Sequence, residues 1–362
     1  MTARDYVQAL IRADVRAGTA YQVADATGMV KLDAMENPYE WPAPLRADLA
    51  KALADVAMNR YPDPHAEDTK AAVRAWMGVP ESLACLFGNG SDEIIALIIS
   101  NFIGSGLTVC APDPSFVMFR VLADQYRVPF VSLPLDAQCQ IDRAQWLSRL
   151  AETTPGVIFI PQPNNPTGNL FREDDLRAVI ESTSALVVID EAYTAFSDRE
   201  HLAWATEYPN VVVMRTLSKV GLAGLRLGLL IGDPVWVHEF DKLRLPYNIN
   251  VMTQAAVRVA MTHHTLLESQ SAAIRDERSG LIARLRERGL TVWESQANFV
   301  VAFVPEGNAR AVFDHLKLSG VLVKCLDGSH PLLQGALRIT VGTPAETDAL
   351  LAALDQSPVL GR

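Results

Sequence analysis

The sequence predicts an α/β protein with a large, mostly parallel sheet and a smaller α+β domain. Short apolar stretches alternate with helical patterns through the middle of the chain, and each stretch ends in polar, proline or charged residues. The pattern changes after about residue 250, and 362 residues exceed the usual size of a single core. We therefore predict a large domain over 40–250 and a small domain formed by 1–39 and 251–362.

The large sheet is predicted from four largely apolar stretches: "LTVCAP" (107–112), "GVIFIP" (156–161), "ALVVID" (185–190) and "NVVVMR" (210–215). Continuous apolar runs are typical of parallel strands that are covered on both faces. Helical patterns lie between them, for example "EDDLRAVIEST" over 173–183. The alternation predicts βαβ units.

The C-terminal part predicts a separate α+β unit. "SQANFVVAFV", "VLVKC" and "ALRITVG" are predicted strands, and "NARAVFDHLKLSG" is a predicted helix that ends at Gly320. A last helix follows, with Thr343 as N-cap, Pro344 at its first position and Glu346 in capping-box register. The amphipathic helix that opens the chain is expected to pack on this domain.

Composition limits the classes of function. A net charge of −10 argues against broad binding to nucleic acid or anionic membranes. The N-terminus lacks the apolar core of a signal peptide, and "EIIALIISNFIG" is too short to span a bilayer. The histidines lack zinc-ligand spacing, and the four cysteines show no disulfide framework. These features predict a cytoplasmic protein without a metal centre or a nucleic-acid or membrane partner.

Ligands of open α/β sheets bind beyond the carboxyl ends of the strands. Three of the predicted strands lead into "PQPNNPTG", "DEAY" and "TLSK", and "GNGSDE" joins another strand to a helix that begins near Ser91. Each motif alone has an ordinary structural interpretation. Asp190 could be a surface acid, "NNPTG" a simple Asn-Pro turn, and Ser91 a helix cap.

One ligand accounts for all four motifs together, namely pyridoxal phosphate. Its aldehyde needs a lysine, its pyridine nitrogen an acid and its phenolic oxygen neutral donors. Lys219, Asp190, and the pair Asn165 and Tyr193 supply these groups, and Phe116 offers an aromatic platform for the ring. Helix N–H groups and cations for the phosphate are available at Gly90, Ser91, Asp92, Thr216, Ser218 and Arg226.

The ordered motifs resemble those of the fold type I aminotransferases, and in detail those of the histidinol-phosphate aminotransferase family. The resemblance covers about residues 20–343. The motifs that carry it are "YQ" at Tyr21, "KLDAMENPY", "NRYPDP", "GNGSDE", "PNNPTG", "DEAY", "TLSK", "AGLRLG", "SQANFV" and "LRITVGT".

The resemblance implies a role for each matching residue. Lys219 would carry the Schiff base and move the substrate proton, and Asp190 would pair with the pyridinium. Tyr61 would reach the cofactor phosphate of the other subunit, which implies a homodimer with shared sites. Arg338 would bind the anionic end of histidinol phosphate and of 2-oxoglutarate or glutamate. The further matches are Tyr193 and Asn165 at the phenolic oxygen, Gly90, Ser91, Asp92, Thr216, Ser218 and Arg226 at the phosphate, Phe116 on the ring, and Lys324, Tyr21 and Asn37 at the substrate.

Three positions depart from the family pattern. Lys219 and Arg226 stand one residue closer than usual, Phe116 replaces a common tyrosine, and Lys324 stands where an arginine is frequent. Because lysine lacks the bidentate fork of arginine, we expect the difference at Lys324 to affect substrate affinity.

Other interpretations stay open at this stage. An aromatic aminotransferase or a threonine-phosphate decarboxylase would share the cofactor residues. A cofactor-sensing regulator would need a DNA-binding segment, and a nucleotide-binding protein would need a glycine fingerprint that this chain lacks. The residues assigned to the substrate and to the other subunit could also have ordinary surface, packing or turn roles. They are Arg338, Lys324, Tyr21, Asn37 and Tyr61.

Overall fold

The structure is a computed structural model, and it describes residues 1–20 and 23–360. The helices are α1 (Ala3–Leu10), α2 (Ala13–Ala17), α3 (Ala43–Ala54), α4 (Glu67–Met77), α5 (Ser91–Ser100), α6 (Met118–Tyr126), α7 (Arg143–Ala151), α8 (Glu173–Ser182), α9 (Trp204–Glu207), α10 (Pro234–Asp241), α11 (Val251–Thr262), α12 (His264–Glu287), α13 (Ala309–Leu318) and α14 (Pro344–Asp355). The strands are β1 (Val30–Lys31), β2 (Ala84–Asn89), β3 (Thr108–Asp113), β4 (Phe130–Pro134), β5 (Pro155–Pro161), β6 (Leu186–Asp190), β7 (Val211–Thr216), β8 (Leu227–Gly232), β9 (Thr291–Val292), β10 (Phe299–Phe303), β11 (Val321–Leu322), β12 (Lys324–Cys325) and β13 (Ala336–Thr340).

The large sheet has seven strands in the order β2-β8-β7-β6-β5-β3-β4. Strand β8 runs antiparallel to both of its neighbours, and the other pairings are parallel. Every residue of β6, β7 and β8 is buried, because helices cover both faces of the sheet. The predicted α/β class and the predicted strands at β3, β5, β6 and β7 are confirmed.

Strand direction brings the predicted motifs to one edge of the sheet. Since β2 and β7 both run antiparallel to β8, they are parallel to each other. Their carboxyl ends therefore lie at the same edge as those of β5 and β6. This edge therefore brings together the ends of β2, β6 and β7, with Gly90 just after β2, Asp190 at the end of β6 and Ser218 just after β7.

The C-terminal unit contains an antiparallel sheet in the order β12-β13-β10-β9. The early strand β1 pairs in parallel with β11, in the register Val30↔Val321. Leu32 and Met35 join the apolar core of this unit with Phe299. The capping box predicted at Thr343 is present at the start of α14.

The proposed division at residue 250 stays a prediction, and packing favours a boundary inside α12. Helix α11 lies against α3 and α4, and Val257 and Ala260 belong to the core under the large sheet. At the other terminus, α1 and α2 bury no residue. Arg12 Nη1 donates to the Gln125 carbonyl at 3.0 Å, which places α2 beside the large unit.

No helix within the two described ranges is both long and apolar enough to cross a membrane.

Candidate active site

A cavity of about 150 Å³ lies at the carboxyl edge of the large sheet. It gathers predicted residues from four separate motifs. Its lining residues are Met35, Ser91, Asp92, Phe116, Pro161, Asn165, Asp190, Ala192, Tyr193, Thr216, Ser218, Lys219 and Arg226.

One end of the cavity is suited to bind an anion. Helix α5 begins at Ser91, and the first N–H groups of a helix lack intrahelical partners. Gly90, with φ of 81°, allows close approach: a Cβ there would lie 2.5 Å from Arg226 Nη2. Arg226 also donates from Nη1 to Ser218 Oγ at 3.4 Å, and its Nη2 lies 3.8 Å from Asp92 Oδ2.

Two hydroxyls fix the path of the chain between β7 and the lysine. Thr216 Oγ1 accepts the Ser218 N–H at 3.2 Å and lies 3.1 Å from Ser218 Oγ. Both residues are buried, at 8% exposure. The Ser218 hydroxyl therefore points toward Arg226 rather than into solvent.

Lys219 follows in an irregular turn, Ser218–Leu222, in which Gly221 has φ of 106°. Its Nζ donates to the Ala34 carbonyl at 3.5 Å and lies 5.6 Å from the centre of the Tyr193 ring. Burial, followed by the nearby positive charge of Arg338, lowers the pKa of Lys219 to about 8. The site thus holds an amine that is partly neutral near neutral pH.

Asp190 ends β6 as a buried carboxyl group with 5% exposure. Its Oδ1 accepts the Ala192 N–H at 3.1 Å. Burial raises the pKa of Asp190 to about 7, because its charged form is poorly solvated. A cationic partner inside the cavity would stabilise the ionised acid, which is what a protonated pyridine nitrogen provides.

Asn165 and Tyr193 form a polar pair on the next wall. Asn165 Nδ2 donates to Tyr193 Oη at 3.3 Å, and Tyr193 Oη donates to Met35 Sδ at 3.4 Å. Burial raises the pKa of Tyr193, so its hydroxyl stays a neutral donor. Phe116 lines the same cavity and packs edge-on against Phe119, with ring centres 5.5 Å apart.

A second cavity of about 460 Å³ adjoins the first, between the large sheet and the C-terminal unit. Arg338 and Lys324 line it from neighbouring strands and are direct partners in the β12–β13 register. They therefore share one face of the small sheet. Arg338 Nη1 donates to Asn165 Oδ1 at 2.7 Å, and Nη2 donates to the Asp33 carbonyl at 3.0 Å. Two adjacent cations thus face a cavity that opens toward Lys219.

The donor set fits pyridoxal phosphate. A buried acid, a lysine with a lowered pKa, neutral donors and a cationic cradle at a helix N-terminus lie around one cavity. Each chemical group of the cofactor has a counterpart there. Within residues 1–20 and 23–360, no cluster of three His, Cys, Asp or Glu could hold a metal ion.

Four predicted residues lie outside both cavities or outside the described ranges, and one of them, Gly90, precedes α5 beside Arg226 without lining a cavity. Tyr61 is 81% exposed and stacks on Tyr247 at 4.5 Å. Asn37 Nδ2 donates to Gln270 Oε1 at 3.1 Å, beside the lysine turn, and Asn37 does not line the cavity. Tyr21 lies outside the described residues. Their predicted roles are untested by the geometry of one chain.

The structure also adds residues that the sequence did not single out. Met35 and Pro161 line the first cavity, and Arg120 and His330 line the second. Met35 lies within "KLDAMENPY", but a methionine in a loop carries no chemical signal of its own. Arg120 and His330 come from different domains, so only the fold brings them together.

Comparison with known proteins defines the class. Residues 27–354 match the family described as aminotransferase class I and II, and the chain belongs to that family. In more detail, the chain is 48% identical to histidinol-phosphate aminotransferase 1 of Burkholderia mallei, over 95% of this chain and 97% of that protein. It is 44% identical to the histidinol-phosphate aminotransferase of Chromobacterium violaceum, over 97% and 98% of the two chains.

Solved structures show the same fold. The histidinol-phosphate aminotransferase of Sinorhizobium meliloti, in complex with pyridoxal-5'-phosphate, superposes with a TM-score of 0.81 at 25% identity, over 90% of each chain. The L-threonine-O-3-phosphate decarboxylase of Porphyromonas gingivalis superposes at 0.77 with 19% identity, over 90% of this chain and 98% of that one. The expected fold type I class is confirmed, and fold similarity alone does not separate these activities.

Proposed function

We propose that this chain is a histidinol-phosphate:2-oxoglutarate aminotransferase of histidine biosynthesis, with pyridoxal 5'-phosphate as its cofactor. The observation that carries the proposal is the pair of adjoining cavities, with Lys219 in one and the cations Arg338 and Lys324 in the other. An amine with an anionic group a few bonds away fits this arrangement. The products are imidazole acetol phosphate and glutamate.

When bound, the cofactor would supply an aldehyde group that can exchange for an amino group and a ring that accepts electron density from the substrate carbon. Arg226, Ser218 and the first N–H groups of α5 would bind its phosphate. Asp190 would hold a proton at the pyridine nitrogen, and Asn165 and Tyr193 would donate to the phenolic oxygen. Phe116, which lines the same cavity, would offer an apolar surface to the ring.

Lys219 moves the proton. Its lowered pKa leaves part of the amine neutral near pH 7, so it can take a proton from the substrate carbon next to the amino group. Arg338 binds the phosphate of histidinol phosphate and then the carboxylate of 2-oxoglutarate. Lys324 adds a point charge on the same face of the small sheet.

A comparison of different amines as amino donors tests the proposed substrate. We expect kcat/KM with 2-oxoglutarate to be at least about tenfold higher for histidinol phosphate than for phenylalanine, because Arg338 and Lys324 can bind a phosphate group that phenylalanine lacks. We also expect threonine phosphate to release no carbon dioxide. A preference for phenylalanine, or decarboxylation of threonine phosphate, would keep the fold and reject this substrate.

The proposal includes a homodimer in which Tyr61 of one subunit completes the site of the other. Support comes from the exposure of Tyr61 and of the apolar residues Tyr6, Leu10 and Met252. Mixing Lys219→Ala and Tyr61→Ala subunits tests it. Activity recovered after mixing two weak variants supports sharing between subunits, whereas a simple average of the two activities contradicts it.

The proposed setting is the cytoplasm. Cys85, Cys110 and Cys139 are buried free thiols, and Cys325 is a partly buried one, which suits a reducing compartment.

A further inference from the structure

Met35 stands where the two cavities meet. Among the described residues, three line both cavities: Met35, Phe116 and Asn165. A substrate with its amine at Lys219 and its anionic end at Arg338 must therefore pass between them. Met35 faces this junction with 9% exposure.

The backbone of Met35 is held in a conformation that is uncommon for a residue with a side chain, with φ of 55°. Its N–H donates to Thr340 Oγ1 at 3.0 Å, and its carbonyl accepts from Asn298 Nδ2 at 2.9 Å. Thr340 and Asn298 are themselves buried, at 3% and 0% exposure. These two hydrogen bonds hold the backbone of Met35 and therefore fix the position from which its side chain extends.

The carbonyls of the two preceding residues connect this segment to Arg338 and Lys219. Asp33 O accepts from Arg338 Nη2 at 3.0 Å, and Ala34 O accepts from Lys219 Nζ at 3.5 Å. The thioether of Met35 lies 3.4 Å from Tyr193 Oη. Met35 is thus placed between the amine end and the anion end of the path, at the junction that Phe116 also lines.

We propose that Met35 determines substrate specificity by setting the width of this junction. The inference rests on the proposed function. The carbon that bears the amino group also carries, through one methylene, the ring of histidinol phosphate or of phenylalanine, so a residue that narrows the path at this carbon also limits whether a five-membered imidazole or a six-membered aromatic ring is accepted. Shortening the side chain widens the junction, so kcat/KM for larger aromatic amines should rise relative to kcat/KM for histidinol phosphate. Differences of one methylene in such a pocket change kcat/KM by about 10- to 200-fold.

The test uses the cofactor-loaded enzyme and three variants. In Met35→Ala we expect the ratio of kcat/KM for phenylalanine to that for histidinol phosphate to rise at least about tenfold. Met35→Gly removes the side chain without straining the positive φ, and it should behave like Met35→Ala. Met35→Leu keeps the volume and should keep the wild-type ratio within about threefold.

Binding gives a readout that does not depend on turnover. By calorimetry, 3-phenylpropionate should bind Met35→Ala at least about tenfold more tightly than it binds wild type. The dissociation constant of pyridoxal phosphate should change much less than the substrate ratio, because Met35 touches the cofactor cavity only through Tyr193 Oη and its lining. An unchanged substrate ratio in the folded Ala and Gly variants, or a change confined to cofactor binding, would overturn the role of Met35. Failure of wild type to use histidinol phosphate would instead reject the proposed function.

Discussion

Arg338 Nη1 donates to Asn165 Oδ1 at 2.7 Å, and this bond joins the small sheet to the wall of the cofactor cavity. Asn165 in turn donates to Tyr193 Oη. The guanidinium that is proposed to bind the substrate is therefore oriented by a residue proposed to contact the cofactor. If both proposed roles hold, this contact sets the distance between the cofactor and the anionic group of the substrate.

Replacing Arg338 should weaken binding of the substrate far more than binding of the cofactor. In Arg338→Gln we expect kcat/KM for histidinol phosphate to fall about 10- to 100-fold, because hydrogen bonds to a charged group are lost. Lys324→Gln removes an exposed point charge and should cost no more than about fivefold. Steady-state kinetics compare the two, and a larger effect at Lys324 would reverse the assignment of the principal anion site.

Gly90→Ala should impair cofactor binding. The added Cβ would lie 2.5 Å from Arg226 Nη2, and the residue would hold a positive φ. We expect the dissociation constant of pyridoxal phosphate to rise at least about tenfold, because such strain costs about 1–3 kcal/mol. The matched control is Gly224→Ala, in the loop between Lys219 and Arg226, where a Cβ meets nothing within 4 Å. Equal effects at both positions would argue against the cradle.

Asp190 should make the cofactor-free protein less stable as the pH rises. The folded-state pKa of about 7 lies above the ordinary value of 3.8, so the folded state binds the proton more tightly than the unfolded state. The stabilisation is full below about pH 4 and is lost as the pH rises through 7. Between pH 5 and pH 8, urea unfolding should show wild type losing stability relative to Asp190→Asn. A constant or widening advantage of wild type would contradict the burial argument.

Glu191 should contribute to stability through a buried ion pair on the opposite side of the strand from Asp190. Its side chain is fully buried, and Arg215 donates to Glu191 Oε2 from Nε at 2.8 Å. Glu191→Gln leaves Arg215 with Glu200 as its only charged partner, because glutamine can accept a hydrogen bond but carries no charge, so we expect a loss of about 3–5 kcal/mol in the free energy of unfolding. Glu207→Gln breaks an exposed pair with Arg177 and should cost less than about 1 kcal/mol. Comparable losses would mean that burial of the pair is unimportant.

Much of the candidate site could be predicted from the polar residues that follow the apolar strands in the sequence. Asp190 and Lys219 were predictable because an acid after a buried strand and a lysine in a glycine-rich bend are both unusual, and parallel strands bring their ends to one edge. The phosphate cradle followed from a glycine turn before a helix. The start of α14 lies where its capping box predicts it. Helix α5 begins at Ser91 as predicted, but its N-cap is Gly90 and no side chain caps it, so Ser91 is not the cap.

The rest depended on long-range packing. Met35 reaches the site because β1 pairs with β11, nearly 300 residues away in the chain. Helix α11 looked like the start of the small domain, yet its apolar face packs on α3 and α4. Tyr61 is exposed and does not line the cavity of its own chain, so its proposed role depends on a contact between subunits that a single sequence cannot place.

The central claim is that Lys219 and bound pyridoxal phosphate transfer the amino group of histidinol phosphate. The most direct measurement is the visible spectrum of the purified protein before and after addition of histidinol phosphate, without a keto acid. We expect a cofactor band in wild type that bleaches with this amine, and no bleaching in Lys219→Ala. A band that persists with histidinol phosphate but bleaches with another amine, or no band even after addition of pyridoxal phosphate, would contradict the account.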